Sequence, residues 1–363
     1  MNSEDGRRIY EELGVRPLIN AAGNVTLIGG SRVPDRVLEA IAQANRYYVD
    51  MEELLKKSGE YIADVFGAEA AFVTSGCGAA LALGAAACVS GSDPEKIRKL
   101  PEGEGLKTEF VIQRSHRTAW EQSLRVGGAR MVEVDPTPEA LRAGIGPGTA
   151  AVMYFVAYSK ADSVSLPEAA RIAHEGGVRI VVDGAAELPP MSNLTAFLEA
   201  GADLVIFSGG KGLRGPQASG LVLGKKELVE ACRRNGNPNN GIGRPMKVGK
   251  EEIAGVVAAV ERFVNLDHDA EQRRWEAQVD HVVEVVYGLP GVRAERILDR
   301  TGQIPVARVA SDRMAPRAIA EGLGAGEPRI EVSATAEGVT INPHMLRPGD
   351  EKAIAKRLRE ILK

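Results

Sequence analysis

The stretch Asp203-Leu204-Val205-Ile206-Phe207-Ser208-Gly209-Gly210-Lys211-Gly212 carries the reading of the fold. Its apolar half shows no alternation of polar and apolar residues, the pattern of a strand covered on both faces. Its second half is a glycine-rich turn holding one lysine, so an amine is presented at a strand end with little steric bulk around it. Upstream, the run Arg179-Ile180-Val181-Val182 has the same character and ends in Asp183. Two buried strands therefore deliver a carboxylate and an amine to equivalent positions.

Outward from this pair, strand-like segments at 70–74, 109–113, 130–134, 150–156, 179–182, 203–207 and 220–223 alternate with helix-like segments at 78–89, near 118–126, about 166–175 and 194–200. That alternation predicts an α/β fold with a mostly parallel sheet covered on both faces. Ligands of such sheets bind beyond the carboxyl ends of the strands, where Asp183 and Lys211 both lie. After Lys225 the character changes. A loop rich in Asn, Gly and Pro at 235–245 leads into a helical stretch at 250–286, striped by Ile253, Val256, Val257, Val260 and Val264. It is too long for one ordinary helix, and a break is predicted near Asn265-Leu266-Asp267. The tail, 291–363, predicts a small α+β domain with two or three short strands and two helices. The last helix, 350–362, is amphipathic through Ile354, Leu358, Ile361 and Leu362. The expected division is an N-terminal arm over 1–45, a large domain over 46–245, and a bridging helix with a small domain over 246–363. There is no internal repeat.

Composition narrows the partners. The chain has 363 residues, enough for two domains. Aromatics are only 4%, and 45 basic against 49 acidic residues leave a formal charge of −4. Both facts argue against a nucleic-acid backbone as the main ligand. Three cysteines, Cys77, Cys88 and Cys232, lack metal spacing and cannot all pair with one another, which fits a reducing cytoplasm. The N-terminus has no apolar signal region, and no stretch is long enough to span a membrane.

Lys211 and Asp183 are the pair that pyridoxal phosphate (PLP) chemistry needs. A lysine condenses with the aldehyde, and a carboxylate keeps the pyridine nitrogen protonated so that the ring acts as an electron sink. Each residue alone has an ordinary reading, as a solvated loop lysine and a helix-capping aspartate. Thr74-Ser75-Gly76-Cys77-Gly78-Ala79 joins a strand to a helix, and its glycines, hydroxyls and helix N-terminus suit an anion. It matches neither the Walker spacing nor the Gly-x-Gly-x-x-Gly fingerprint. His116 follows the strand at 109–113, where an imidazole stacks on a cofactor ring or is a solvated loop residue. Ser208 is positioned for a second phosphate contact. Arg214 is near enough to Lys211 to serve the same anion or a substrate, or is a surface residue of a glycine loop. His174, His268 and His281 read as structural or solvated, and His344 lies in a C-terminal turn. No two histidines have metal-ligand spacing, so no metal is expected.

These segments resemble the selenocysteine-synthase-like (L-seryl-tRNA(Sec) selenium transferase-related) branch of fold-type I PLP enzymes. The likeness runs through Asp203 to Gln217, through Val181-Val182-Asp183-Gly184-Ala185-Ala186-Glu187-Leu188-Pro189-Pro190, and through Val15-Arg16-Pro17-Leu18-Ile19-Asn20-Ala21-Ala22-Gly23 with Gly29-Gly30-Ser31-Arg32. The branch also holds shorter proteins resembling D-glucosaminate-6-phosphate ammonia-lyase. The resemblance implies an aminotransferase-like fold built as a homodimer with its active site at the interface. It implies that Lys211 carries PLP, Asp183 faces the pyridine nitrogen, His116 stacks on the ring, and Thr74, Ser75, Gly76, Cys77 and Gly78 with Ser208 hold the phosphate. The branch usually has a small residue where this chain has Cys77. The transferases it resembles carry an additional N-terminal tRNA-binding domain, whereas here the motifs begin almost at once. With the acidic balance, that makes tRNA an unlikely partner.

The expected activity is α,β-elimination on a small amino acid or amino sugar acid, an ammonia-lyase or dehydratase reaction. Racemisation, aldol cleavage and tRNA-linked selenium transfer are the alternatives. The substrate carboxylate needs a cation, for which Arg16, Arg32, Arg214, Arg244, Arg329 and Arg347 are the candidates.

Overall fold

A computed structural model of the protein describes residues 5–363. In chain order its strands are β1 (Leu18–Asn20), β2 (Ala70–Thr74), β3 (Glu109–Gln113), β4 (Arg130–Val134), β5 (Thr149–Phe155), β6 (Arg179–Asp183), β7 (Leu204–Ser208), β8 (Gly220–Gly224), β9 (Val292–Leu298), β10 (Pro305–Ser311), β11 (Arg329–Glu331), β12 (Ser333–Thr335) and β13 (Gly338–Ile341). The chain divides into two compact units. One spans Val33–Asn265, and the other joins the chain up to Arg32 with Leu266–Lys363.

The larger unit is built on a seven-stranded sheet of order β2-β8-β7-β6-β5-β3-β4. β3, β4, β5, β6 and β7 pair in parallel, and β8 runs antiparallel to both β7 and β2. The direction of β8 follows from its connection. The turn that carries Lys211 leads straight from β7 to β8 without a crossover helix, and such a return forces antiparallel pairing. β5 is buried at every position, and β6 and β7 are buried through their apolar residues. This is why these strands read as unbroken apolar runs.

The helix Cys77–Ser90 packs on the sheet through small residues. A Cβ on Gly84 would lie 3.5 Å from Ile206 Cδ1. On its other flank Gly127 approaches so closely that a Cβ would fall 2.1 Å from the Ala82 carbonyl. Phe66, Phe110, Phe155 and Phe207 fill the core around the sheet. Each such burial contributes about 1.5–3 kcal/mol. Four helices of seven residues or more here, Asp35–Ala44, Met51–Phe66, Pro138–Gly144 and Lys226–Asn235, are absent from the sequence-based expectation, as is the single turn Pro94–Ile97. Two carry plain end signals. Asp50 Oδ1 accepts from the Glu53 N–H at 2.9 Å, and Gly67 closes the same helix at φ 60. Thr137 caps Pro138–Gly144 in the same way.

The smaller unit has its own core of Val279, Val282, Ile319, Ile341, Ile354 and Leu358. Its sheet is antiparallel, of order β12-β13-β10-β9, and β1 pairs in parallel with β11. The tail thus holds five strands where two or three were expected. β11 and β12 are three residues each, too short to show an alternation. β1, expected within a separate arm, pairs with a strand of the tail. The predicted helix break is present: Lys250–Val264 ends, and Asp267 caps His268–Val286 by accepting from the Ala270 N–H at 2.9 Å. The helix Lys250–Val264, grouped with the tail by the expected division, lies within the larger unit. Among the described residues no helix is long and apolar enough to cross a membrane.

Candidate active site

The carboxyl edge of the seven-stranded sheet carries Asp183, Ser208 and the turn after Thr74, with His116 and Lys211 on the segments that follow β3 and β7. β6 ends on Asp183, whose Oδ1 accepts from the Ala185 N–H at 2.8 Å. That short turn fixes the carboxylate at the strand tip. β7 ends on Ser208, in register with Gly220. The glycines around Lys211 serve close backbone packing more than openness. A Cβ on Gly209 would lie 2.1 Å from Ser219 Oγ, one on Gly210 2.7 Å from Gln217 Cα, and one on Gly212 2.0 Å from the Leu188 carbonyl. The half-buried Lys211 therefore stands on a rigid turn. Arg214 ends that turn at φ 59 and is only 7% exposed. Its N–H donates to the Lys211 carbonyl at 2.9 Å. A left-handed backbone at an arginine costs about 1–2 kcal/mol and persists only where surroundings enforce it.

The helix Cys77–Ser90 starts beyond β2 with no side-chain cap and no acidic residue in its first turn. Its first N–H groups and its dipole are thus available to an anion. Gly76 precedes it at φ 97, ψ 163, a conformation that essentially only glycine adopts. A Cβ there would meet nothing within 4 Å, so the concave side of the turn is open. Its back is closed, because a Cβ on Gly220 would fall 2.5 Å from Gly76 C and 2.8 Å from Cys77 N. The Thr74 hydroxyl donates to the Gly76 carbonyl at 3.0 Å, which shapes the turn. Ser75 and Cys77 are half-buried and Gly78 is exposed.

Cys77 reports that the loops converge. Burial pushes its thiol well up, the Asp183 carboxylate adds to that shift, and Lys211 offsets part of it. Groups from three separate strand ends therefore share one electrostatic environment, and the thiol stays protonated.

His116 is fully buried. The segment after β3 that carries it is pinned on both sides. Arg114 pairs with Glu133 and Asp135, each at 2.9 Å, and Arg117 pairs with Glu121 at 2.5 Å and Glu133 at 2.6 Å. The Gln113 side chain bonds both the N–H and the carbonyl of Val164. The imidazole Nδ1 accepts from the Phe155 N–H at 3.4 Å, and Tyr154 meets the ring edge-on at 4.5 Å. Nε2 is buried without a partner. Burial draws the ring's pKa down to about 4, so it is neutral near pH 7.

The candidate arginines are dispersed. Arg16, Arg32, Arg329 and Arg347 belong to the smaller unit, and Arg214 and Arg244 to the larger. Arg16 bonds the Gly326 carbonyl at 2.8 Å and Glu327 at 3.3 Å, and Arg329 pairs with Glu331. Arg32 and Arg347 come together beside Asp350, whose carboxyl burial pushes up while both guanidiniums oppose the shift. Arg244 is exposed. His344 is buried in the smaller unit, its Nδ1 3.4 Å from Asn24 Nδ2 and its ring edge-on to Trp275. Tyr154, the Phe155 N–H, Leu188 and Gly220 escaped the sequence reading. Only Gly220, a glycine opening a strand, carried a legible signal of close approach.

An uncapped helix N-terminus behind an open glycine turn, an orphaned buried imidazole nitrogen, a strand-end carboxylate and a nearby lysine fit PLP. The fold and this donor set define a fold-type I PLP-dependent enzyme. The family described as L-seryl-tRNA selenium transferase (SelA) matches residues 128–297. A 5'-C-glycyluridine monooxygenase-decarboxylase of a Streptomyces species is 33% identical over 97% of this chain and 92% of its own length. The D-glucosaminate-6-phosphate ammonia lyase of Salmonella typhimurium is 30% identical over 97% of each chain. A solved structure of D-glucosaminate-6-phosphate ammonia-lyase superposes with a TM-score of 0.86 at 30% identity, covering 98% of both chains. A serine palmitoyltransferase from S. paucimobilis, at 12% identity and a TM-score of 0.61 over 98% of this chain and 96% of its own, shares the fold. The chain belongs to the L-seryl-tRNA selenium transferase-like family of fold-type I enzymes, and PLP is its cofactor.

Proposed function

We propose that the protein is a PLP-dependent lyase that removes the α-proton and the β-substituent of a small amino acid or amino sugar acid and releases ammonia. The likeness to D-glucosaminate-6-phosphate ammonia-lyase over nearly the whole of both chains carries this reading. PLP supplies the electron sink at Cα. Lys211 would hold the cofactor, and its Nζ would take the Cα proton of the bound substrate. Asp183 keeps the proton on the pyridine nitrogen. His116 would lie against the ring face, and the N–H groups at Cys77 and Gly78, with Ser75 and Ser208, would hold the phosphate. Thr74 acts through Gly76. A β-hydroxyl leaves as water, which is returned on hydrolysis, so a β-hydroxy amino acid gives one 2-keto acid and one ammonia. Arg16, Arg32, Arg214, Arg244, Arg329 and Arg347 stay our candidates for the substrate's anionic groups.

The relative named as a decarboxylase favours a second reading, in which the same sink accepts electrons from the Cα–carboxylate bond. A panel of D- and L-amino acids and amino sugar acids separates the possibilities. Equal ammonia and 2-keto acid support elimination, and carbon dioxide supports the second reading. Optical inversion alone, or release of an aldehyde with a shorter amino acid, contradicts both. We further propose a homodimer in a reducing compartment. The exposed run Tyr47-Tyr48-Val49 supports the first and three free cysteines the second. Sedimentation tests the dimer. The excess of acidic residues argues against tRNA, and a gel shift with serine tRNA tests that point.

A further inference from the structure

We propose that His116 works as a neutral hydrogen-bond donor of fixed tautomer, its proton on Nε2, toward an oxygen of the bound cofactor or substrate, and that it is neither a titrating acid nor a base. The donor role rests on the function proposed above, whereas the tautomer does not.

The Phe155 N–H is a donor that cannot titrate, and it points at His116 Nδ1. Phe155 cannot turn away, because it is held in register with Asp183 in the β5–β6 pairing. A proton on Nδ1 would set two N–H groups against each other inside the protein, at a cost of about 1–3 kcal/mol. The neutral ring therefore carries its hydrogen on Nε2. That atom is buried and has no protein partner. A buried donor with no acceptor is uncommon in native proteins, and an acceptor brought by a ligand satisfies it.

The groups facing the ring do not favour its charged form. Tyr154 on β5 presents a ring edge, and its hydroxyl is engaged with Ser159 Oγ at 3.0 Å. On the ring's own segment, Arg114 and Arg117 are committed to Glu121, Glu133 and Asp135. Burial is the dominant influence on the ring, and it opposes the imidazolium. Such an imidazole donates a hydrogen bond without giving up its proton, and the acid–base work falls to Lys211.

Long-range proton–nitrogen spectra of PLP-free protein labelled with 15N-histidine test the tautomer from about pH 5 to about pH 9. The chain has five histidines, so His116→Gln assigns the signal. If that variant does not fold, single substitutions at His174, His268, His281 and His344 assign it by elimination. The expected result is an Nε2–H pattern unchanged across the range. An Nδ1–H pattern, or titration within the range, overturns the proposal. PLP is then added to the same sample. A shift at Nε2 on binding PLP, or on then adding an amino acid that the holoenzyme turns over, with the tautomer kept, supports the donor role, and no change at Nε2 with both bound overturns it. Failure to bind PLP, seen by absorbance, contradicts the proposed function instead, and the PLP-free spectra still decide the tautomer.

Discussion

The two edges of the seven-stranded sheet are made of the same kinds of residue and do opposite things. At the amino edge, charges close on one another. Buried Asp203 accepts from the Ile180 N–H at 2.8 Å and from His174 Nε2 at 3.0 Å, with Arg179 3.7 Å away. Lys225 pairs with Glu69 at 2.8 Å, and Arg179 with Glu227 at 3.0 Å. A hollow lined by His174, Val178, Arg179, Asp203 and Lys225 lies there, but its walls are already neutralised. At the carboxyl edge, the helix Cys77–Ser90 begins uncapped and His116 keeps a buried nitrogen without a partner. A lysine or histidine at a strand end is therefore no signal by itself. What marks a site is polar capacity that the protein leaves unused.

This contrast yields four substitutions, with effects ordered by size. Lys211→Ala is expected to lower turnover by about ten-thousandfold or more, the upper range for a lost nucleophile and proton carrier, with the fold retained by circular dichroism. Normal turnover in this variant would erase the distinction between the edges. Asp183→Asn is expected to keep PLP and lose about a hundredfold in turnover, because a neutral amide no longer holds the ring proton. Steady-state assays of the PLP-saturated variant check this. At the amino edge, Asp203→Ala leaves the Ile180 N–H and His174 without their acceptor. It is expected to cost about 2 kcal/mol in urea unfolding and to leave PLP affinity unchanged. Gly220→Ala drives a Cβ into the backbone of Gly76 and is expected to weaken PLP binding about tenfold, with a smaller loss of stability. Titration with PLP distinguishes this outcome from simple misfolding.

The larger sheet was legible because parallel strands buried on both faces leave continuous apolar runs, as at Ile180 to Val182 and Leu204 to Phe207. The edges of those runs then located Asp183 and Lys211. The smaller unit was harder to read, because β11 and β12 are three-residue strands whose partners lie far away in sequence. Within the candidate site, the residues proposed for the chemistry were readable and the groups packed around them were not. The Phe155 N–H is a backbone group on another strand, and the Leu188 carbonyl that Gly212 approaches belongs to a segment with no local link to Lys211. Such contacts exist only once the strands are ordered side by side. The role first given to the glycines around Lys211, open space for an amine, is replaced by close backbone packing for the same reason.

We propose that the carboxyl edge holds the cofactor through Lys211. Borohydride reduction of the PLP-loaded protein, followed by peptide mass spectrometry, tests it directly. The predicted result is a single cofactor adduct on the lysine of Ser208-Gly209-Gly210-Lys211-Gly212. An adduct on Lys225 at the amino edge or on any other lysine, or no adduct on a protein that retains PLP, would contradict it.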